Sequence, residues 1–156
     1  MLKQTKIGYF VRNLQAVNEI DIWLLSTLDT RVTDFVAELQ RRQLEQGKRP
    51  DGTFFDDYSQ ASVNIYGKEP GPIKWKNSGY FYDHIASHTS PDFLEITNEG
   101  TIDEITGQRF DLEIRFNEEI IGLDTDSMAE LIEKIKERYL QTLRRVLLIG
   151  GGNPNV

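Results

Sequence analysis

The stretch from residue 92 to residue 116, DFLEITNEGTIDEITGQRFDLEIRF, decides whether this chain is all-helical or mixed. In DFLEITNE, Phe93, Glu95 and Thr97 alternate with Leu94 and Ile96, the two-residue period of a half-buried strand. GQRFDLEIRF repeats the alternation, placing Phe110, Leu112, Ile114 and Phe116 on one face. Gly100 and Gly107 bound the intervening GTIDEITG, which reads as a hairpin connection. A small antiparallel sheet with one apolar face is the simplest arrangement of these segments.

Helical periodicity flanks the sheet on both sides. Leu14, Val17, Leu24, Leu25, Leu28, Val32, Phe35, Val36 and Leu39 recur at spacings of three and four. Residues 12–46 therefore read as one long helix, or as a pair broken near Ser26–Thr30 with Asp29 capping the second member. Gly47 and Pro50 end it, one by a left-handed cap and the other by lacking an amide hydrogen. After EIIGLDTD, an apolar stripe of Met128, Leu131, Ile132, Ile135, Tyr139, Leu143 and Val146 marks a long C-terminal helix. Its acids come early (Asp124, Asp126, Glu130, Glu133) and its bases late (Lys134, Lys136, Arg138, Arg144, Arg145), complementing the helix dipole.

The predicted fold is thus α+β: an N-terminal helix or helix pair, a small antiparallel sheet, and a long C-terminal helix packed on it. One domain spans residues 1–149, and residues 150–156, GGGNPNV, form a glycine-rich tail. Residues 51–72 are dense in Gly, Pro, Asp and Ser and leave room for only a short helix near Ser59–Ile65. Phe54, Phe55, Tyr58 and Tyr66 are many aromatics for a solvated loop, so it must fold back onto its own core or a partner.

Composition bounds the function. A chain of 156 residues with 38% hydrophobic content can bury a core without covalent staples. The absence of cysteine excludes disulfides, a thiol nucleophile and thiolate metal sites. No apolar run approaches the ~20 residues of a membrane-spanning helix, so the chain is expected to be made and used without crossing a membrane. A net charge of −7 disfavours direct DNA contact, because phosphate neutralisation supplies most non-specific affinity.

The motifs that would carry chemistry fail on spacing. His84 and His88 in HIASH have the i, i+4 separation of a zinc-binding helix, but Ile85 stands where a catalytic glutamate belongs and Pro91 soon follows. The glycines at 150–152 come after a helix, whereas a phosphate loop precedes one. Asp56 with Asp57, and Glu118 with Glu119, are adjacent and diverge on most backbones. In DGTFFDD, Phe54 and Phe55 occupy positions where calcium would need oxygen ligands. No oxyanion hole accompanies Ser87 or Ser90. The chain is expected not to be an enzyme, and no cofactor is implied. Trp75, flanked by Lys74 and Lys76, with Tyr80, Phe81 and Tyr82 just beyond, has the ingredients of a single-strand stacking platform. A nucleic-acid-associated binding protein using this stretch is therefore the alternative function.

The segment LEQGKRPDGTFFDDYSQASVNIYGKEPGPIKWKNSGYFYDHI resembles a pattern in structural proteins of tailed bacteriophages and prophages. The residues that carry it are Gln43, Leu44, Asp51, Gly52, Tyr58, Ser59, Gly71, Pro72, Ile73, Lys74, Ser78, Gly79, Phe81 and Tyr82. A similar step follows at Ile120, Gly122 and Leu123, ahead of the acidic-capped helix, so the resemblance covers roughly residues 30–147. Asn77-Ser78 replaces the more usual Lys/Asp-Thr. The resemblance implies a neck or tail-completion subunit, a head–tail connector component of the virion, assembled in the host cytoplasm. Its implied partners are copies of itself in a ring and other neck or tail proteins (portal, adaptor, tail tube), with no membrane. The expected contact residues are Phe54, Phe55, Tyr58, Trp75, Tyr80, Phe81 and Tyr82.

Overall fold

A computed structural model describes residues 22–23, 30–76, 78–90, 93–103 and 106–149. Helix α1 spans Thr30–Glu45. It is the central element because two of its faces are apolar. Val32, Val36 and Leu39 pack with Leu131 and the half-buried Phe35, Leu94, Leu123 and Ile135. Ala37 and Leu44 join a second cluster of Phe55, Phe81, Tyr82, Ile85, Leu112 and Ile120. The helix ends as expected at Gly47, whose φ of 71° is left-handed. A β-carbon there would come within 2.6 Å of Pro72, so the position needs glycine for space as well as for backbone conformation.

Beyond α1 the chain forms the short helices α2, Gln60–Tyr66, and α3, Tyr80–Asp83. Strand β1, Ala86–Thr89, pairs antiparallel with β2, Leu94–Thr97, setting His88 opposite Glu95. Strand β3, Thr101–Ile102, pairs antiparallel with β4, Arg109–Phe110. Helices α4, Leu112–Phe116, and α5, Thr125–Ile149, complete the described chain. The architecture is α+β, with a long C-terminal helix, as the alternating and helical periods predict.

Three local readings are corrected. The sheet is two separate two-stranded ladders. The strand at 94–97 pairs with β1, a segment whose histidine spacing suggested a helix, while β3 and β4 pair with each other. The alternating LEIRF is a helix, not a strand continuing from β4. The Asp111 carboxylate accepts the Ile114 amide hydrogen at 3.1 Å, and Asn117, at φ 52°, closes the far end. Consequently Leu112 is buried while Ile114, placed on the same face by strand logic, is 82% exposed. The expected Asp29 cap, most of the N-terminal apolar face and the tail at 150–156 lie outside the described residues.

Two buried glutamines on α1 hold the segment that leads into α5. Gln40 donates to the Ile120 carbonyl at 3.3 Å and accepts from the Gly122 amide at 2.8 Å. Gln43 donates to the Gly122 carbonyl at 2.9 Å and accepts from the Asp124 amide at 2.7 Å. From the other side, one Glu113 carboxylate oxygen accepts from the Ile120 and Ile121 amides at 2.6 and 2.8 Å. A segment with neither helix nor ladder bonds thereby has the amides of Ile120, Ile121, Gly122 and Asp124 satisfied. Asp124 then starts α5, accepting the Ser127 amide at 2.8 Å with Lys48 Nζ 3.6 Å from its carboxylate. Burial pushes the Asp124 carboxyl up, but the Ser127 hydrogen bonds and the Lys48 charge outweigh it and hold it below the ordinary range.

Gln43→Leu leaves the Gly122 carbonyl and Asp124 amide unpaired in the core, and is expected to cost about 2–5 kcal/mol in urea denaturation. The exposed Gln141→Ala is expected to stay within about 0.5 kcal/mol. Because the Asp124 pKa is lowered on folding, its contribution is present above about pH 4 and lost as pH falls through the folded value. Asp124→Asn, which keeps a capping side chain, should therefore lose less stability than the parent chain between about pH 5 and about pH 3.

Candidate assembly surface

The aromatic stretch PIKWKNSGYFYDHI, residues 72–85, is tied down through its backbone. Both sides of Lys74 are held by phenols. Its amide donates to the Tyr58 hydroxyl at 3.2 Å, and its carbonyl accepts from the Tyr82 hydroxyl at 2.6 Å. Burial, and then the nearby Glu45 carboxylate, push the Tyr82 phenol well above its ordinary pKa, so it stays a hydrogen donor. Gly79, at φ 90°, turns the chain into α3, which carries Phe81 and Tyr82 inward. The carbonyls that α3 exposes find partners across the fold. Arg41 donates to that of Tyr82 at 2.8 Å and to the Ile85 carbonyl just beyond the helix at 2.9 Å, and Asn98 donates to that of Phe81 at 2.6 Å.

This geometry narrows the expected contact residues. Phe55, Phe81 and Tyr82 are buried in the chain's own core at 3%, 3% and 4% exposure, which leaves little of these rings for a partner to meet. Trp75 is half-buried between Phe55, edge-on at 5.5 Å, and Phe116, tilted at 5.1 Å. Tyr80 stacks on His84 with ring centroids 3.8 Å apart. The stacking faces that a nucleic-acid platform would need are therefore engaged by this chain's own rings. Tyr58 is half-buried, and only Phe54, 59% exposed, stands fully at the surface.

The histidines are also placed apart. His84 caps the end of α3, with Nδ1 2.8 Å from the Tyr80 carbonyl oxygen, while His88 is exposed on β1. They do not share a helical face, and among the described residues no group of three His, Asp or Glu side chains converges on a metal position.

Fixing residues 72–85 leaves the preceding loop as a projection with a rigid base. Its two limbs are bonded by Ile73 to Asp56 at 2.9 Å, Tyr58 to Gly71 at 2.9 Å, and a bridge between Asp57 and Pro72. At its tip stands α2. Ser59 caps its start by accepting the Ser62 amide at 3.1 Å, and Gly67, at φ 63°, caps its end. No residue of α2 is buried, and Ile65 and Tyr66 are 72% and 75% exposed. A seven-residue helix is marginal in water on its own, so its two caps and pinned base must hold it. The short helix is legible in the sequence. Its outward apolar face was not, because the pattern of QASVNIY does not say which side meets the core.

A second apolar surface lies elsewhere. Strand β2, the 121–123 segment and the first turns of α5 enclose a groove of about 800 Å³, lined by Leu94, Ile96, Leu123, Met128, Ile132 and Ile135 among others, with Lys136 at its rim. Met128 and Ile132 remain exposed within it. No residue lining the groove belongs to the α2 loop. No protein-family model, curated protein or solved structure matches the chain.

Tyr82→Phe removes one of the two hydroxyls holding Lys74 and leaves a partly buried carbonyl without its phenol donor. It is expected to cost about 1–3 kcal/mol in chemical denaturation. Tyr80→Phe, which preserves the stack on His84, is expected to cost less than about 0.5 kcal/mol.

Proposed function

We propose that this chain is a structural subunit of a tailed-phage virion, one that builds a ring at the head–tail junction or tail terminus through protein–protein contacts. The observation that carries the reading is α2: a capped helix on a pinned base that half-buries Ser62 and Val63 but leaves Ile65 and Tyr66 facing solvent. Clustered apolar exposure of this kind marks an interaction surface. The apolar groove on α5 supplies a second one. A subunit carrying two separate apolar surfaces is suited to contact a neighbour on each side, as a ring requires.

The residues behind the phage resemblance support the same reading. Though spread between positions 43 and 123, many of them bind one another: Gln43 to Gly122, Tyr58 to Gly71 and Lys74, and Lys74 to Tyr82. They describe the frame that presents the projection. Among the described residues no helix is long and apolar enough to cross a membrane.

Light scattering on the purified chain is expected to give a mass several times that of the monomer, rising with concentration to a plateau. Mass spectrometry of purified particles should find the chain at multiple copies per virion. A chain that remains monomeric and is missing from particles contradicts the proposal.

A further inference from the structure

A cavity of about 500 Å³, separate from the α5 groove, opens between α2 and α4. Its apolar wall is made by Ile73, Trp75, Ile102, Phe110, Leu112 and Phe116. Trp75 is left unsettled there in two independent ways. Its φ of 56° is left-handed, which strains a bulky residue, and strain of this kind collects at ligand sites. Its Nε1 is, among the described residues, the buried side-chain polar atom with no hydrogen-bond partner. Phe116, 5.1 Å from the Trp75 ring, stays 51% exposed. Beside this wall stands Arg115, its guanidinium carbon 4.2 Å from the centre of the Phe110 ring. The stack holds the planar fork in place and leaves its N–H edges open. No carboxylate among the described residues pairs with it. The cavity's two lysines are engaged: Lys68 donates to the Lys76 carbonyl at 3.2 Å, and Lys76 Nζ lies 3.4 Å from Glu45.

We infer that this cavity receives an aromatic side chain from a peptide of another protein, with the carboxylate of the adjoining peptide residue on the Arg115 guanidinium. The size is within the roughly 300–1,000 Å³ of sites that enclose a ligand. An unpaired arginine stacked on a ring matches one carboxylate through two parallel hydrogen bonds. A single such cation on a chain of net charge −7 suits one carboxylate and disfavours a polyanion. Apolar exposure continues past the cavity on both flanking helices, at Ile65 and Tyr66 of α2 and Ile114 of α4, which suits a peptide better than a small aromatic acid. The inference does not depend on the chain forming a ring.

The indole N–H resonances of the isotope-labelled full chain test it, with Trp75→Phe assigning the Trp75 signal and leaving that of Trp23. Titration with the blocked dipeptide acetyl-Phe-Glu-amide is expected to shift the Trp75 signal saturably. Acetyl-Phe-Gln-amide keeps the shape without the charge and should bind about tenfold more weakly. Arg115→Gln, at an exposed position that should leave the melting temperature little changed, is expected to bring the two dipeptides to equal affinity. A longer peptide with the same Phe-Glu pair at its centre should bind about tenfold more tightly than the dipeptide. No saturable shift, equal binding of the two dipeptides by the parent chain, or a charge preference that survives Arg115→Gln would overturn the inference. Equal affinity of the short and long peptides would make the cavity a site for a small aromatic acid and overturn the peptide occupant. Displacement of the long peptide by a lower concentration of oligothymidylate would assign the site to nucleic acid and overturn it too.

Discussion

The fold depends on two primary amides. Gln40 and Gln43 lie three residues apart on α1, so their side chains leave the same helical face. Each donates through its amide nitrogen and accepts through its oxygen on the irregular chain from Ile120 to Asp124. An apolar side chain at either position would fill the space and leave backbone groups dry. In the interior an unmade hydrogen bond costs more than a made one contributes, which gives this contact its specificity. Its consequence reaches beyond the segment itself. By fixing Asp124 against α1, it sets where α5 starts and how Leu131 of that helix packs on Val36 and Leu39.

A second clamp works on the same principle. Tyr58 and Tyr82 approach the Lys74 peptide from its two sides and convert a loop rich in turn residues into a stationary wall. Arg49 closes the opposite end, donating to Glu118 from two guanidinium nitrogens at 3.1 and 3.3 Å and also to the Phe54 carbonyl. With both limbs held, conformational freedom is removed from the base of the α2 projection before any partner arrives. A contact made by a preorganised element loses less entropy on binding than one made by a free loop. Structure, stability and the proposed assembly role therefore meet in the same few side chain–backbone bonds.

The sequence shows these features unevenly. The apolar periods of α1 and α5, the Gly47 stop and the acidic start of α5 are legible because each depends on residues near in the chain. The short helix at 60–66 is legible from Ser59 and Gly67 for the same reason. LEIRF misled because alternation and a single helical turn fit the same letters, and a lone carboxylate at Asp111 decides between them. Strand β1 was hidden because ASHT has no apolar alternation, and its pairing depends on a strand further along. The aromatic stretch invited a nucleic-acid reading, since nothing local reveals that Trp75 faces Phe55 and Phe116 from distant segments. The contact surface itself lay in what α2 fails to bury, a property that exists only once the rest has folded.

The central claim is a division of labour: residues 72–85 form the frame, and α2 makes the contact. Hydrogen–deuterium exchange followed by mass spectrometry, at concentrations below and above assembly, tests it most directly. Peptides covering residues 72–85 should be protected already at high dilution and unchanged on assembly. Those covering 60–67 should exchange fast when dilute and slow sharply when assembled, together with peptides covering 128–139. Protection gained across 72–85 on assembly, with 60–67 still exchanging freely, would contradict the account.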